Sequence, residues 1–188
     1  MFVDLTVLIT PEMIADAQQN EKKALAGHLG THFDVMNKEF PMEYVERKAI
    51  VFDVSSVKDR DIDLEDVDLS KVEENMFVAF YTGFIEEEGY GSKRYFHDHP
   101  QLSNALIEQL LDLNISMIGI DCAGIRRGEE HTPKDQYCAD RGVFVIENLC
   151  NLKSLLGKES SKQFTANTYP VKYAGMTGLP CRVVAKIE

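Results

Sequence analysis

The sequence predicts a mixed α/β fold with a mostly parallel central sheet and a second, antiparallel sheet. Three observations carry this. The chain has 188 residues, 44% of them hydrophobic, enough for one domain with a sizeable core and too short for two ordinary ones. From Gln101 onward, apolar strand-length runs alternate with helical pieces, an order that implies right-handed crossovers and parallel pairing. Before that point strand-like runs follow one another with little helix, which favours antiparallel pairing.

Taken in order, "FVDLTVLI" (2–9) reads as a strand, because β-branched and large apolar residues dominate it and Pro11 stops it. A short helix over Glu12–Gln19 follows, with Thr10 as its cap. "KAIVFDV" (48–54) and "MFVAFYTG" (76–83) are compact strand runs bounded by charge and glycine. Between them "KDRDIDLEDVDLSKVEEN" (58–75) reads as solvated surface; it lacks the glycine and terminal glutamate of an EF-hand loop. "QLSNALIEQLLDLN" (101–114) places Ser103 as an N-cap and Leu106, Leu110 and Leu111 at helical spacing. It leads into "ISMIGID" (115–121), a run of the kind buried on both faces. A second helix over Lys134–Arg141 stops at Gly142 and feeds "VFVIENL" (143–149), a buried-type strand ending at Glu147.

Charge and cysteine usage narrow the function classes. Thirty-one acidic against twenty basic residues give a net charge of -11 with no local basic patch, which disfavours nucleic acid and anionic membrane. Cys122, Cys138, Cys150 and Cys181 show no CxxC spacing, so reduced thiols in a cytoplasmic protein are expected. The amino terminus lacks a basic leader, and no stretch approaches the roughly 20 apolar residues of a membrane helix.

Chemistry concentrates in "GHLGTHFDVMNKEFP" (27–41). His28, Gly30, His32 and Asp34 share one face of an extended chain, with the glycine leaving space between the polar groups. Two imidazoles and a carboxylate around a gap suit zinc or manganese. Four extended residues separate Cα atoms by about 13 Å, so one ion can join both histidines only if the chain bends. Gly30 makes a bend inexpensive, whereas a helix is disfavoured by Gly30, Thr31 and Val35. The same spacing also suits surface or core histidines that bind no metal.

"HLGTHFD" (28–34) resembles the start of the HxGTHxDxPxH motif of the cyclase family, whose members include bacterial kynurenine formamidases (arylformamidases) and the related isatin hydrolases. "DLT" (4–6), "YTG" (81–83), "HPQLS" (99–103), "IGID" (118–121), "IENLCNL" (146–152) and "AGMTGLPCRVVA" (174–185) follow in that family's order, so the resemblance spans residues 1–188 as one domain. It implies a layered β/β/α fold of the swivelling-domain type. It also implies a metal-dependent amidohydrolase that opens N-formyl or cyclic amides, as in tryptophan catabolism, working as a homodimer or higher homo-oligomer on a small-molecule substrate. The cofactor implied is zinc or manganese, as one or two ions.

Carried over residue by residue, His28 and His32 match the histidine ligands, Asp34 the bridging carboxylate, and Glu147 the distal glutamate. Two positions depart from the pattern. Lys38 stands where the family has the histidine thought to handle protons. Its amine could replace that base if desolvation or the nearby cation lowered its pKa, could stabilise an oxyanion, or could simply face solvent. Asp135 stands where the family has a further histidine, twelve residues before the glutamate; His131 could fill that place if "RRGEEHTPKD" realigns. Phe33, Tyr81 and His99 are the candidates for a pocket holding a flat substrate.

Overall fold

The computed structural model describes residues 1–187, leaving aside the side chains of residues 22, 24 and 25. In chain order its elements are β1 (Phe2–Asp4), α1 (Pro11–Ala17), α2 (Glu21–Ala26), β2 (His32–Asp34), β3 (Glu46–Asp53), β4 (Phe77–Tyr81), α3 (Phe84–Glu88), α4 (Lys93–His97), α5 (Asn104–Asp112), β5 (Met117–Ile120), α6 (His131–Asp140), β6 (Phe144–Glu147), α7 (Leu152–Leu156), β7 (Ser161–Pro170) and β8 (Gly178–Lys186).

Local chemistry explains where the helices start. Thr10 caps α1 by accepting from the Met13 N–H, and Pro11 occupies the first turn, where its missing N–H costs nothing. Ser103 caps α5 through the Leu106 N–H at 3.0 Å, and Leu106, Ile107, Leu110 and Leu111 bury one face. The acidic segment 58–75 wraps into two short 3-10 turns capped by Asp63 and Asp68. Its Ile62 and Val72 are buried, so it is more than solvated surface.

Among the described residues the strands form one sheet in the order β1-β8-β2-β6-β5-β4-β3-β7, and β7 also pairs with β8. Seven strands therefore close into a barrel-like ring, with β1 added at β8. The mixed α/β class holds, but the parallel and antiparallel strands belong to one closed sheet instead of two stacked ones. β3 to β6 are mutually parallel; β1, β2, β7 and β8 pair antiparallel. The antiparallel part thus comes largely from the carboxy-terminal hairpin, not from the amino-terminal half, and β3 and β4 join the parallel set.

Closure gives the strands two apolar layers, because successive side chains point to opposite faces. Val51, Phe77, Ala79, Phe164, Ala166 and Val183 fill the ring. Their strand neighbours Ile50, Phe52, Val78, Phe80 and Ile118 face outward and pack under α5. Such layers are worth about 25 cal/mol for each Å² removed from water. No described helix is long and apolar enough to cross a membrane.

Candidate metal centre

β2 is only three residues long, and alternation gives its faces opposite jobs. Phe33 points into the ring against Phe40, with ring centroids 4.7 Å apart. His32 and Asp34 point outward into the helix-covered layer, both almost fully buried. On β6 the residue paired with His32 is Glu147, so pairing alone sets a carboxylate beside the imidazole at the carboxyl end of a parallel strand. Ligands of open α/β sheets gather at such ends.

His28 reaches the same spot because the chain bends where the sequence anticipates. Gly30 has φ +71°. Its carbonyl accepts from His32 Nδ1–H at 2.8 Å and from the Asn148 amide at 2.9 Å, while its N–H donates to the Tyr90 hydroxyl. The bend brings His28 Nδ1 to 3.0 Å from His32 Nε2 and 3.1 Å from Asp34 Oδ1. His28 Nε2 is bonded to Thr177 Oγ1 at 2.8 Å. Each imidazole is thus held at one nitrogen and offers the other to the cluster, the outer bonding that orients metal-ligating histidines.

The second half of the cluster comes from α6. This helix starts at His131, three residues before the expected start, which sets His131 and Asp135 one turn apart on one face. His131 Nε2 lies 2.7 Å from Glu147 Oε1 and 3.3 Å from Asp135 Oδ2. His32 Nε2 lies 3.5 Å from Glu147 Oε2. Two donor groups result, His28–His32–Asp34 and Asp34–His131–Asp135–Glu147, each with its ligand atoms within 4.8 Å of one another. Asp34 belongs to both.

Electrostatics favour a cation at the cluster. Three buried carboxylates demand positive charge, since an uncompensated buried anion is very costly. Burial opposes a charge on His32, yet Asp34 and Glu147 outweigh it and hold its pKa up to about 9. Burial likewise favours a neutral Asp34, but His32 and His28 keep its carboxyl well below the usual range. Asp34 Oδ2 is buried with no hydrogen bond. Nitrogen and oxygen donors gathered around Asp34, one of whose oxygens is left without a hydrogen bond, fit a divalent cation of the zinc or manganese type.

The structure thus brings together His28, His32, Asp34, His131, Asp135 and Glu147, and uses both candidates for the upstream position. It does not bring Lys38 there. The Val35 carbonyl accepts from the Lys38 N–H, Met36 takes φ +56°, and the Lys38 ammonium pairs with Asp140 at 2.6 Å. The turn breaks the extended register that would have kept residue 38 on the histidine face. Phe33 faces the ring, and so does Tyr81, whose hydroxyl donates to Glu86; neither reaches the cluster. His99 is buried beyond α4. Sequence reading missed Asn148, Thr177 and Tyr90. The first lies beside Glu147 and the second inside a quoted motif, so adjacency was the available signal for both; Tyr90 gave none.

Comparisons with known proteins agree with this fold. The family model described as "Putative cyclase" matches residues 3–126. No curated protein matches the sequence. Among solved structures, a potential metal-dependent hydrolase with cyclase activity superposes with a TM-score of 0.75 at 24% identity, covering 98% of this chain and 96% of that one. A predicted metal-dependent hydrolase from Bacillus stearothermophilus gives 0.73 at 23%, covering 98% and 97%. Isatin hydrolase A from Labrenzia aggregata, bound to benzyl benzoate, gives 0.73 at 21%, covering 98% and 93%. With its model running through well over half of the 188 residues, the chain belongs to the cyclase family.

Proposed function

We propose that this protein is a metal-dependent hydrolase of formamide or cyclic amide bonds, with zinc or manganese held by His28, His32, Asp34, His131, Asp135 and Glu147. The observation that carries the reading is the pair of donor groups meeting at Asp34. A divalent ion held there would polarise a carbonyl and lower the pKa of a bound water toward neutrality.

The chain's own residues do the rest. Gly30 and Thr177 fix the two imidazoles, so their lone pairs need no reorientation when a substrate arrives. Asn148 braces Gly30, and its side-chain oxygen accepts from the buried Tyr95 hydroxyl at 2.8 Å. Burial keeps bulk water from the carboxylates, which strengthens every charge interaction inside.

Arylformamidase chemistry, N-formylkynurenine to kynurenine and formate, is the first activity to assay, with isatin the second. The isatin hydrolases among the structural neighbours support that choice. We read residues 1–188 as one cytoplasmic domain that pairs as a homodimer. Leu8 and Ile14 are exposed on the segment whose Ile9 packs at Gly30, and a second copy would cover them. A second reading, a metal-binding relative without catalysis, is favoured by Lys38 turning to Asp140. Purified protein loaded with manganese or zinc decides between them: turnover of either substrate supports the hydrolase, and a tightly held ion with no turnover of either supports the second reading.

A further inference from the structure

His99 lies two residues beyond α4, only 1% exposed, and its ring is held at one nitrogen alone. Nδ1–H donates to the Pro100 carbonyl at 2.8 Å. That bond assigns the proton to Nδ1 and leaves Nε2 with its lone pair. Nε2 is buried and makes no hydrogen bond. A buried acceptor left unpaired is costly and uncommon in a folded protein, and it marks Nε2 as a group free to take a proton.

Two contacts place the segment that carries this ring near the centre. Tyr95, one helical turn earlier, donates to Asn148, the residue after Glu147. Leu102, three residues later, donates its N–H to the Ile125 carbonyl at 3.0 Å. Next to Ile125, Gly124 sits so close to His131 that a Cβ there would meet Nε2 of that ring at 3.0 Å. Segment 99–102 therefore lies along the loop whose Gly124 approaches His131. Glu147 from β6, His131 from α6 and Arg127 from the loop between β5 and α6 are the charged or titratable groups acting on His99.

We infer that His99 is the proton-handling residue of the hydrolysis, in the role that Lys38 is turned away from. The inference deepens the hydrolase reading and rests on it. As the water oxygen bonds to the carbonyl carbon, His99 Nε2 takes the water proton. When the carbon–nitrogen bond breaks, the same proton passes to the departing nitrogen, leaving a carboxylic acid and an amine. Burial lowers the His99 pKa from the ordinary histidine value, which keeps Nε2 free to accept at neutral pH.

The test compares wild type with His99→Ala and His99→Gln, all loaded with manganese, on whichever of N-formylkynurenine and isatin the wild type hydrolyses. Manganese content and thermal midpoint are measured beside the kinetics. The expected result is a kcat lower by about 100-fold or more, with KM and bound manganese little changed, partial rescue of His99→Ala by added imidazole, and loss of the acid limb of the kcat/KM profile. If His99→Ala does not fold, His99→Gln is read alone. A folded variant with full manganese and a kcat within about threefold of wild type overturns the role of His99 and leaves the hydrolase reading standing. Manganese-loaded wild type that turns over neither substrate overturns the hydrolase reading and the role of His99 with it.

Discussion

Gly27 offers a measurable link between the fold and the metal centre. It ends α2 in the left-handed region, with φ +84°, and a Cβ built there would lie 1.9 Å from the carbonyl oxygen of Gly178. Gly178 opens β8 and pairs with Asp34. Gly27→Ala therefore combines left-handed strain, about 1–2 kcal/mol, with a backbone overlap no side-chain rotation relieves, about 1–3 kcal/mol. A loss of about 2–5 kcal/mol is a large share of the about 5–15 kcal/mol that holds a typical domain together. Gly142 is the control: its φ is +76°, but a Cβ there meets nothing within 4 Å, so Gly142→Ala carries the strain alone. Urea unfolding with matched slopes should show the Gly27 variant less stable than the Gly142 variant by at least about 1 kcal/mol. Because Gly27 precedes His28 and Gly178 follows Thr177, the Gly27 variant should also bind manganese more weakly. Equal stability losses in the two variants would refute the close backbone approach.

Three further outcomes follow from particular contacts. Burial raises the Asp121 pKa to about 6, against 3.8 for the free group, even though Thr82 and Gly83 donate to it. A folded-state pKa above the unfolded one gives stability that is present below about pH 4 and lost as pH rises through about 6, so wild type minus Asp121→Asn should fall by about 2 kcal/mol between pH 4 and 7 in urea unfolding. Lys38→Ala removes an ion pair partly open to solvent, so stability should change by about 1 kcal/mol at most and hydrolysis not at all; a large loss of kcat would put Lys38 back into the chemistry. Tyr90→Phe leaves the Gly30 N–H without its acceptor, which should cost about 1–3 kcal/mol in denaturant unfolding.

Much of this was legible in the residues, and the misses have physical causes. His28, Gly30, His32 and Asp34 stood out by spacing, which left a metal site and metal-free histidines both open; the ligand roles, Glu147's among them, came only with the resemblance to the cyclase family. Lys38 was misplaced because extrapolating the strand register assumes an extended chain, and the turn at Met36 ends it. His131 stood only as an alternative to Asp135 because helix starts are hard to fix without a side-chain cap, and α6 has none. Closure of the sheet was hidden in β7, whose inward residues Phe164, Ala166 and Thr168 include one large apolar side chain. Pattern reading finds strands by large alternating apolar groups, and a crowded ring interior favours small ones. Phe33 was read as pocket-lining from its place between two ligands, although alternation sends it to the opposite face.

On the proposed reading, Asp34 joins two donor groups into one metal centre. Titrating manganese and zinc into metal-free wild type, Lys38→Ala and Asp34→Asn, with bound metal counted by elemental analysis, tests it most directly. Wild type and Lys38→Ala should bind alike, and Asp34→Asn should lose more than the about 10–100-fold that removal of a supporting hydrogen bond costs. An Asp34→Asn protein that folds and holds as much metal as wild type, as tightly, would contradict the account.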